Sequence, residues 1–327
     1  MSYQYITNID KKNFSDKSVL IIGAGYIANQ YAYALFKMGI KNVTIISNSE
    51  TSSKICNQYG FKPISGGYEN ALSTLSHMDL VIIATPVLTL FGAAKLALEN
   101  GQTNILIEKP GSLYSQDLLL LSKKFTNANI RVAYNRLQYP NFHLLKELTT
   151  NEGGITSCNF TFTEWLDRID FTKYVPSILE RWGIANSLHV ISMAFELIGL
   201  PKTFTPYQFG RLDWHPSGSI FVGSGISEKN IPFSYHADWN STGRWGIEIM
   251  TSENSYRLIP LEELYVCKKN STTWEKVQFQ ATYPDVKQGL TEQLFLMLEK
   301  DNKYNNLVSL EKAIQFNKIG EKIFGYY

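Results

Sequence analysis

The chain has 327 residues, long enough to be divided between two domains rather than built on one core. With 44% hydrophobic and 18% charged residues it has the composition of a soluble globular protein, and a net charge of +2 with no long run of Lys or Arg gives no footing for nucleic acid or an anionic membrane surface. Cys56, Cys158 and Cys267 form neither a CxxC pair nor a Cys/His cluster, so no metal site is expected, and they read as reduced thiols of a cytoplasmic protein. The opening MSYQYITNIDKKNF lacks the apolar core of a signal peptide, and no apolar run is long enough to span a bilayer.

The first element, Val19 to Ile22, is a short apolar run that reads as a buried strand. Gly23, Ala24, Gly25, Tyr26, Ile27 and Ala28 follow as G-x-G-x-x-A, and helix-forming sequence runs on from Asn29 to Met38. Strand, glycine turn and helix in this order are the dinucleotide fingerprint. Gly23 permits the turn, Gly25 lets backbone approach a pyrophosphate, and Ala28 keeps helix and strand close. The pyrophosphate would sit on the free N–H groups at the helix start.

A second strand, Asn42 to Ile46, runs into Ser47, Asn48 and Ser49, with Lys54 further on. An acidic residue at the strand end would suit the ribose 2′-hydroxyl of NAD. Small polar groups and a lysine suit a 2′-phosphate instead, so NADP is the expected dinucleotide, with NAD the alternative because of Glu50. Leu80 to Ala84 is a third strand, followed by Thr85 and Pro86 at the border of the cofactor cleft. A helix (Leu90 to Glu99), a strand (Asn104 to Ile107) ending in Glu108-Lys109-Pro110, and a strand (Ile130 to Ala133) leading into Tyr134-Asn135-Arg136 complete the alternation. That alternation predicts a mostly parallel sheet with right-handed crossovers.

GAGYIA at 23–28, ATP at 84–86, EKP at 108–110, AYNRLQYP at 133–140 and a later helix bearing His189 occur in an order and spacing that fit over nearly the whole chain. In these features the sequence resembles the glucose–fructose oxidoreductase, inositol dehydrogenase and rhizopine catabolism oxidoreductase family, nearest to members found in surface-glycan biosynthesis. The resemblance implies a Rossmann-like domain over 1–139 and an α+β domain over 140–327 with a large, mostly antiparallel open sheet that often mediates oligomers. The C-terminal helix could fold back on the first domain. It also implies a nicotinamide-dependent oxidoreductase acting on a sugar, cyclitol or sugar nucleotide.

Within that resemblance Lys109 corresponds to the lysine beside the reacting carbon. An ammonium there stabilises a developing alkoxide and can relay a proton. Glu108 and Lys109 also fall among the expected cofactor contacts, and a cis Lys109–Pro110 peptide would fix where the lysine points. Tyr134 and Arg136 are candidate substrate contacts, although Arg136 equally suits a helix cap.

His189 is the candidate acid/base, on a helix expected over Ile184 to Ile198. Asn186, His189, Ser192 and Glu196 share one stripe without a Lys or Arg, which favours a cleft. The chain departs from the family here. Ala185 stands where the family usually has an Asp, and Ser192 where a second one is frequent, so the carboxylate partner of the histidine is missing. Arg181, next to Trp182, could bind a phosphate or carboxylate, or could pair with Glu180 or Glu164. Asn186 and Trp182 complete the expected substrate contacts.

Further on, Ile155 to Glu164 alternates as a half-buried strand, Phe233 to Trp239 is another, and Gly246 to Thr251 with Ser255 to Ile259 reads as a hairpin. Lys287-Gln288-Gly289 precedes a helix from Leu290 to Glu299, and a last helix, Leu310 to Phe324, starts at Ser309. Two other functions remain open: an epimerase that retains its cofactor, and a non-catalytic sensor of dinucleotide or sugar.

Overall fold

The computed structural model describes residues 12–299 and 306–326. It divides into two compact units. One runs to Gln138 and includes Ala281–Gln315; the other comprises Tyr139–Gln280 and the chain from Phe316 onward.

In the N-terminal unit the apolar runs form parallel strands. They are β1 (Ser18–Ile22), β2 (Asn42–Ser47), β3 (Lys62–Ser65), β4 (Leu80–Ile83), β5 (Asn104–Glu108) and β6 (Asn129–Ala133). Helices α1 (Tyr26–Lys37), α2 (Thr51–Tyr59), α3 (Tyr68–Ala71), α4 (Leu90–Glu99) and α5 (Ser115–Lys124) lie between them. The sheet order is β6-β5-β4-β1-β2-β3, with order reversing between β1 and β4, the switch point at which open α/β sheets take ligands. Val19 to Ile22 and Leu80 to Ile83 are fully buried, as strands covered on both faces must be.

Residues from the far end of the sequence complete this unit. Helix α9 (Leu290–Leu298) contributes Leu290, Leu294 and Phe295 to the same apolar core as α1 and β1. A two-residue strand, β15 (Val308–Ser309), pairs antiparallel with β6 and covers its outer edge. A single cut near residue 139 leaves out this return of the chain.

The C-terminal unit is built on a sheet of β7 (Ser157–Phe162), β8 (Pro201–Phe209), β9 (Ile220–Ser227), β10 (Pro232–Asp238), β11 (Trp245–Met250), β12 (Asn254–Leu258), β13 (Leu264–Lys268) and β14 (Glu275–Val277). All neighbours are antiparallel except β7 and β10. The expected alternation is realised: Cys158, Phe160 and Phe162 are buried on one face of β7. Helix α8 (Leu188–Ile198) packs on that face, with Phe195 5.6 Å from Phe160 and 5.2 Å from Phe233 between ring centroids. The end of α10 (Leu310–Phe324) does the same through Phe324, 5.5 Å from Phe162 and 5.0 Å from Phe221. The opposite face of β8 and β9 leaves Tyr207, Phe209 and Ile226 exposed.

Candidate functional site

The glycine turn takes the conformation its residues require. Gly23 has φ +117°, and a Cβ there would lie 2.3 Å from the Ala84 carbonyl oxygen. Only glycine lets β1 turn this close to the end of β4. Its N–H donates to Ile46 O at 2.9 Å, while Ala84 N–H donates to Ile22 O at 2.8 Å. At Gly25, the residue before α1, a Cβ would meet nothing within 4 Å, so the approach to the helix N-terminus is open. The first turn of α1 carries no acidic residue to compete for its N–H groups. Tyr26 is exposed, Ile27 half-buried, and Ala28 fully buried against the strand.

A cleft of about 310 Å³ opens beside this turn, lined by Gly23 and Ala24, Ser47 to Ser49, Tyr68 and Glu69, and Thr85 and Pro86. The Thr85 hydroxyl oxygen is buried there without a hydrogen-bond partner. An orphaned polar atom beside a glycine cradle and an uncapped helix N-terminus fits the phosphates and ribose of a dinucleotide. Ser47 is committed locally: its hydroxyl donates to the Ser49 carbonyl and accepts from Ser52 N–H at 3.2 Å. Lys54 is exposed on α2 and is not among the residues that line the cleft. The lining supplies a carboxylate instead, Glu69 of α3. Its Oε2 stands 2.9 Å from where a Gly67 Cβ would be, so the absent Cβ gives it room, and the Asn48 side-chain oxygen lies 3.2 Å from the same point.

Lys109 follows β5 at its carboxyl end and is half-buried, and the Lys109–Pro110 peptide is cis. Glu108 accepts a hydrogen bond from the buried Tyr31 hydroxyl at 2.7 Å. Burial raises the Glu108 pKa, opposed by that hydrogen bond and by the charges of Lys109 and Lys287. Lys287 stands 5.8 Å from the Tyr26 ring centre, and Asn135 Nδ2 donates to Gln288 O at 3.1 Å. Gly289, at φ +84°, allows this approach, since a Cβ would lie 2.1 Å from Asn135 O. Tyr134 is buried at 1% exposure, and burial raises its phenol pKa; Arg136 is half-buried in the short turn Asn135–Gln138.

In the C-terminal unit the helix bearing His189 starts later than its sequence suggests. Gly183–Ser187 form a π turn and α8 begins at Leu188, so the expected stripe is interrupted. His189 is half-buried, with its ring 6.0 Å from that of Trp245. Ser192 is buried and donates to His189 O at 3.1 Å, and Glu196 pairs with Lys146 at 3.2 Å. Arg181 pairs with Glu321 at 2.9 Å and stacks on Tyr326. Trp182 is buried edge-on to Tyr174, and its indole N–H has no hydrogen-bond partner.

Glu164 was absent from the expected site residues. It is 3% exposed and accepts from Ser187 Oγ at 2.6 Å, Asn186 Nδ2 at 2.9 Å and Trp245 Nε1 at 3.3 Å. Burial raises its pKa and these donors oppose the rise. Ser187 and Asn186 close the π turn, so a carboxylate does sit at the entrance to the His189 helix, supplied by the sheet rather than by the helix. Its signal was parity, since position 164 shares the buried face of 158, 160 and 162. Among the described residues, no group of three or more His, Cys, Asp or Glu is placed to hold a metal ion, and no helix is long and apolar enough to cross a membrane.

A glycine turn opening onto a helix, at the switch point of a parallel sheet with order 3-2-1-4-5-6, defines a dinucleotide-binding domain of the Rossmann class. Residues 17–135 match the model of a family described as "Oxidoreductase family, NAD-binding Rossmann fold". Over these residues the chain is similar to that family of oxidoreductases, GFO_IDH_MocA.

Solved structures share the fold over nearly the full length. UDP-N-acetylglucosamine 3-dehydrogenase from Acidithiobacillus ferrooxidans is 13% identical with a TM-score of 0.71, covering 94% of this chain and 96% of its own. An oxidoreductase from Agrobacterium radiobacter in complex with NAD+, L-tartaric acid and magnesium is 15% identical, with a TM-score of 0.74 and coverages of 93% and 94%. Levoglucosan dehydrogenase in complex with NADH and L-sorbose is 18% identical, with a TM-score of 0.72 and coverages of 94% and 95%. No curated protein matches the sequence.

Proposed function

We propose that the protein transfers a hydride between a nicotinamide dinucleotide and a carbinol or keto carbon of a sugar or nucleotide-linked sugar. The observation that carries this reading is Lys109 at the carboxyl end of β5, in the same unit as the glycine turn. A bound nicotinamide supplies the hydride acceptor or donor. When a carbinol loses hydride its hydroxyl must lose a proton, and the Lys109 ammonium stabilises the oxygen as charge develops. His189 is the proposed group that takes that proton or returns it in the reverse direction. The sugar assignment draws on the names of two structures of the same fold, a UDP-N-acetylglucosamine and a levoglucosan dehydrogenase. Work in surface-glycan synthesis and in the cytoplasm is part of the proposal.

Of the two dinucleotides the reading favours NAD. A carboxylate in the cleft suits paired ribose hydroxyls and repels a 2′-phosphate, and Glu69 is in the lining while Lys54 is not. We also assign self-association to the sheet face carrying Tyr207, Phe209 and Ile226, an exposed apolar patch of the kind buried between subunits; the solution mass by light scattering tests it.

The main test is titration of the wild type and Lys109→Ala with NADH, NADPH and their oxidised forms, followed by nicotinamide absorbance with a panel of free and nucleotide-linked sugars. The expected result is turnover of one sugar, reduced by about 10²–10⁴-fold in Lys109→Ala. Dinucleotide binding with no turnover, indifferent to Lys109, would leave a sensor.

A further inference from the structure

We propose that the groove between α4 and α5 is a docking site for an acidic segment of a partner protein that carries exposed Leu or Phe side chains. The groove shares no lining residue with the dinucleotide cleft, and docking there goes beyond the hydride-transfer reading.

Helix α5 has more apolar surface than its own core uses. Four successive leucines, 118–121, turn through about 300° of the helix. An amphipathic helix needs a stripe of only roughly 100° to face a core. Leu118 and Leu121 are buried, but Leu120 is 59% exposed, the most exposed aliphatic side chain among the described residues. With Phe91, Leu121 and Phe125 it lines a groove of about 370 Å³. An apolar recess between two helices is suited to side chains presented by another chain.

The rest of the lining is Lys95, Lys123 and Lys124. The carboxylate beside them is Glu99, which pairs with Lys124 and stands 3.9 Å from Lys95. Glu99 counts as a full charge, because Lys124 holds its carboxyl below the usual range. Three ammonium groups and one carboxylate still leave two positive charges around the groove. Lys123 has no ion pair among the described residues. Two further carboxylates reach α5 elsewhere. Asp117 accepts from Ser112 about two turns before Lys124, and Glu311 accepts from Ser122, on the side of the helix away from Leu120 and Lys124.

A segment with Asp or Glu beside its apolar side chains matches both the recess and its rim. A second copy of this chain matches only the recess. The exposed apolar patch of its own sheet lies on β8 and β9, and neither strand contains a carboxylate.

The test begins with a phage-displayed library of random peptides selected on the full chain, with the double variant Lys95→Glu/Lys123→Glu as counter-selection. Enriched sequences are synthesised and titrated by fluorescence anisotropy into wild type, the double variant and Leu120→Ser. Peptides combining Leu or Phe with Asp or Glu are expected, binding the wild type about tenfold or more tighter than either variant. Their affinity is expected to fall as salt rises. All three proteins are expected to melt at the same temperature by circular dichroism, since the replaced side chains are exposed.

The site is overturned if no peptide distinguishes wild type from the double variant, if the enriched peptides lack acidic residues, or if Leu120→Ser binds them as well as wild type. Sedimentation with phosphatidylserine vesicles is the remaining arm. Vesicle binding that depends on Lys95 and Lys123, without such a peptide, would assign the surface to a membrane and overturn protein docking.

Discussion

Glu69 and Glu164 are both carboxylates that matter through their surroundings rather than through a motif. Glu69 reaches the dinucleotide cleft because Gly67, with φ +90°, has no Cβ in its way. If the cleft takes NAD as proposed, Glu69→Gln is expected to lower the ratio of NADH to NADPH affinity by about tenfold, the effect of removing one charged hydrogen-bonding group. Fluorescence titration with both reduced dinucleotides measures it, and an unchanged ratio would take Glu69 out of cofactor selection. In sequence the selective group is expected at the end of β2, where this fold usually places it, which points to Ser47, Asn48 and Lys54. The neighbouring strand's loop could only be brought to the same cleft by the three-dimensional structure. Glu164 was more accessible to sequence reasoning, because continuing the alternation of β7 two residues past its end at Phe162 puts position 164 on the face of Phe160 and Phe162.

At the level of elements, the glycine fingerprint, the β11–β12 hairpin and the N-cap of α10 were legible because each has a local chemical cause. Ser309 Oγ, for example, accepts from Lys312 N–H at 3.3 Å, as a cap should. Strands β3 and β8 were not. Each contains proline, Pro63 in one and Pro201 and Pro206 in the other, and proline argues against a strand. Both lie at an edge of their sheet, where a missing N–H costs least.

The π turn before α8 was also invisible locally, since its shape answers to a distant neighbour. A Cβ on Gly183 would stand 2.4 Å from the buried Phe324 ring. Gly183→Ala is therefore expected to destabilise the protein by about 1–3 kcal/mol, the usual cost of overpacking. Chemical denaturation of Gly183→Ala, Phe324→Leu and the double variant checks it. Strict additivity in that cycle would mean that the two positions do not crowd one another.

For the whole molecule, composition and alternation defined two kinds of sheet, but not which residues complete each unit. The segment 281–315 lies more than a hundred residues beyond the strands it joins, and its apolar pattern does not say which core it will fill. Leu294 and Phe295 are buried in the core of the N-terminal unit. Expression of residues 12–138 alone is thus expected to give an aggregating or partly folded product, whereas the same segment linked to 281–315 should unfold cooperatively. Circular dichroism melts of the two fragments distinguish these outcomes, and a sharp transition in the shorter one would show that α9 and β15 are dispensable.

The return of α9 and β15 also imposes an order on synthesis. A ribosome delivers β6 long before it delivers the strand that covers its edge and the helix that closes the core beside α1. At ~5–20 residues per second the nascent first sheet waits roughly 10 to 35 s, incomplete, while the middle of the chain emerges. The middle of the second unit is translated within that interval, but its last segment follows Gln315. During that interval the open edge of β6 and the uncovered face of α1 are the surfaces that a chaperone would hold.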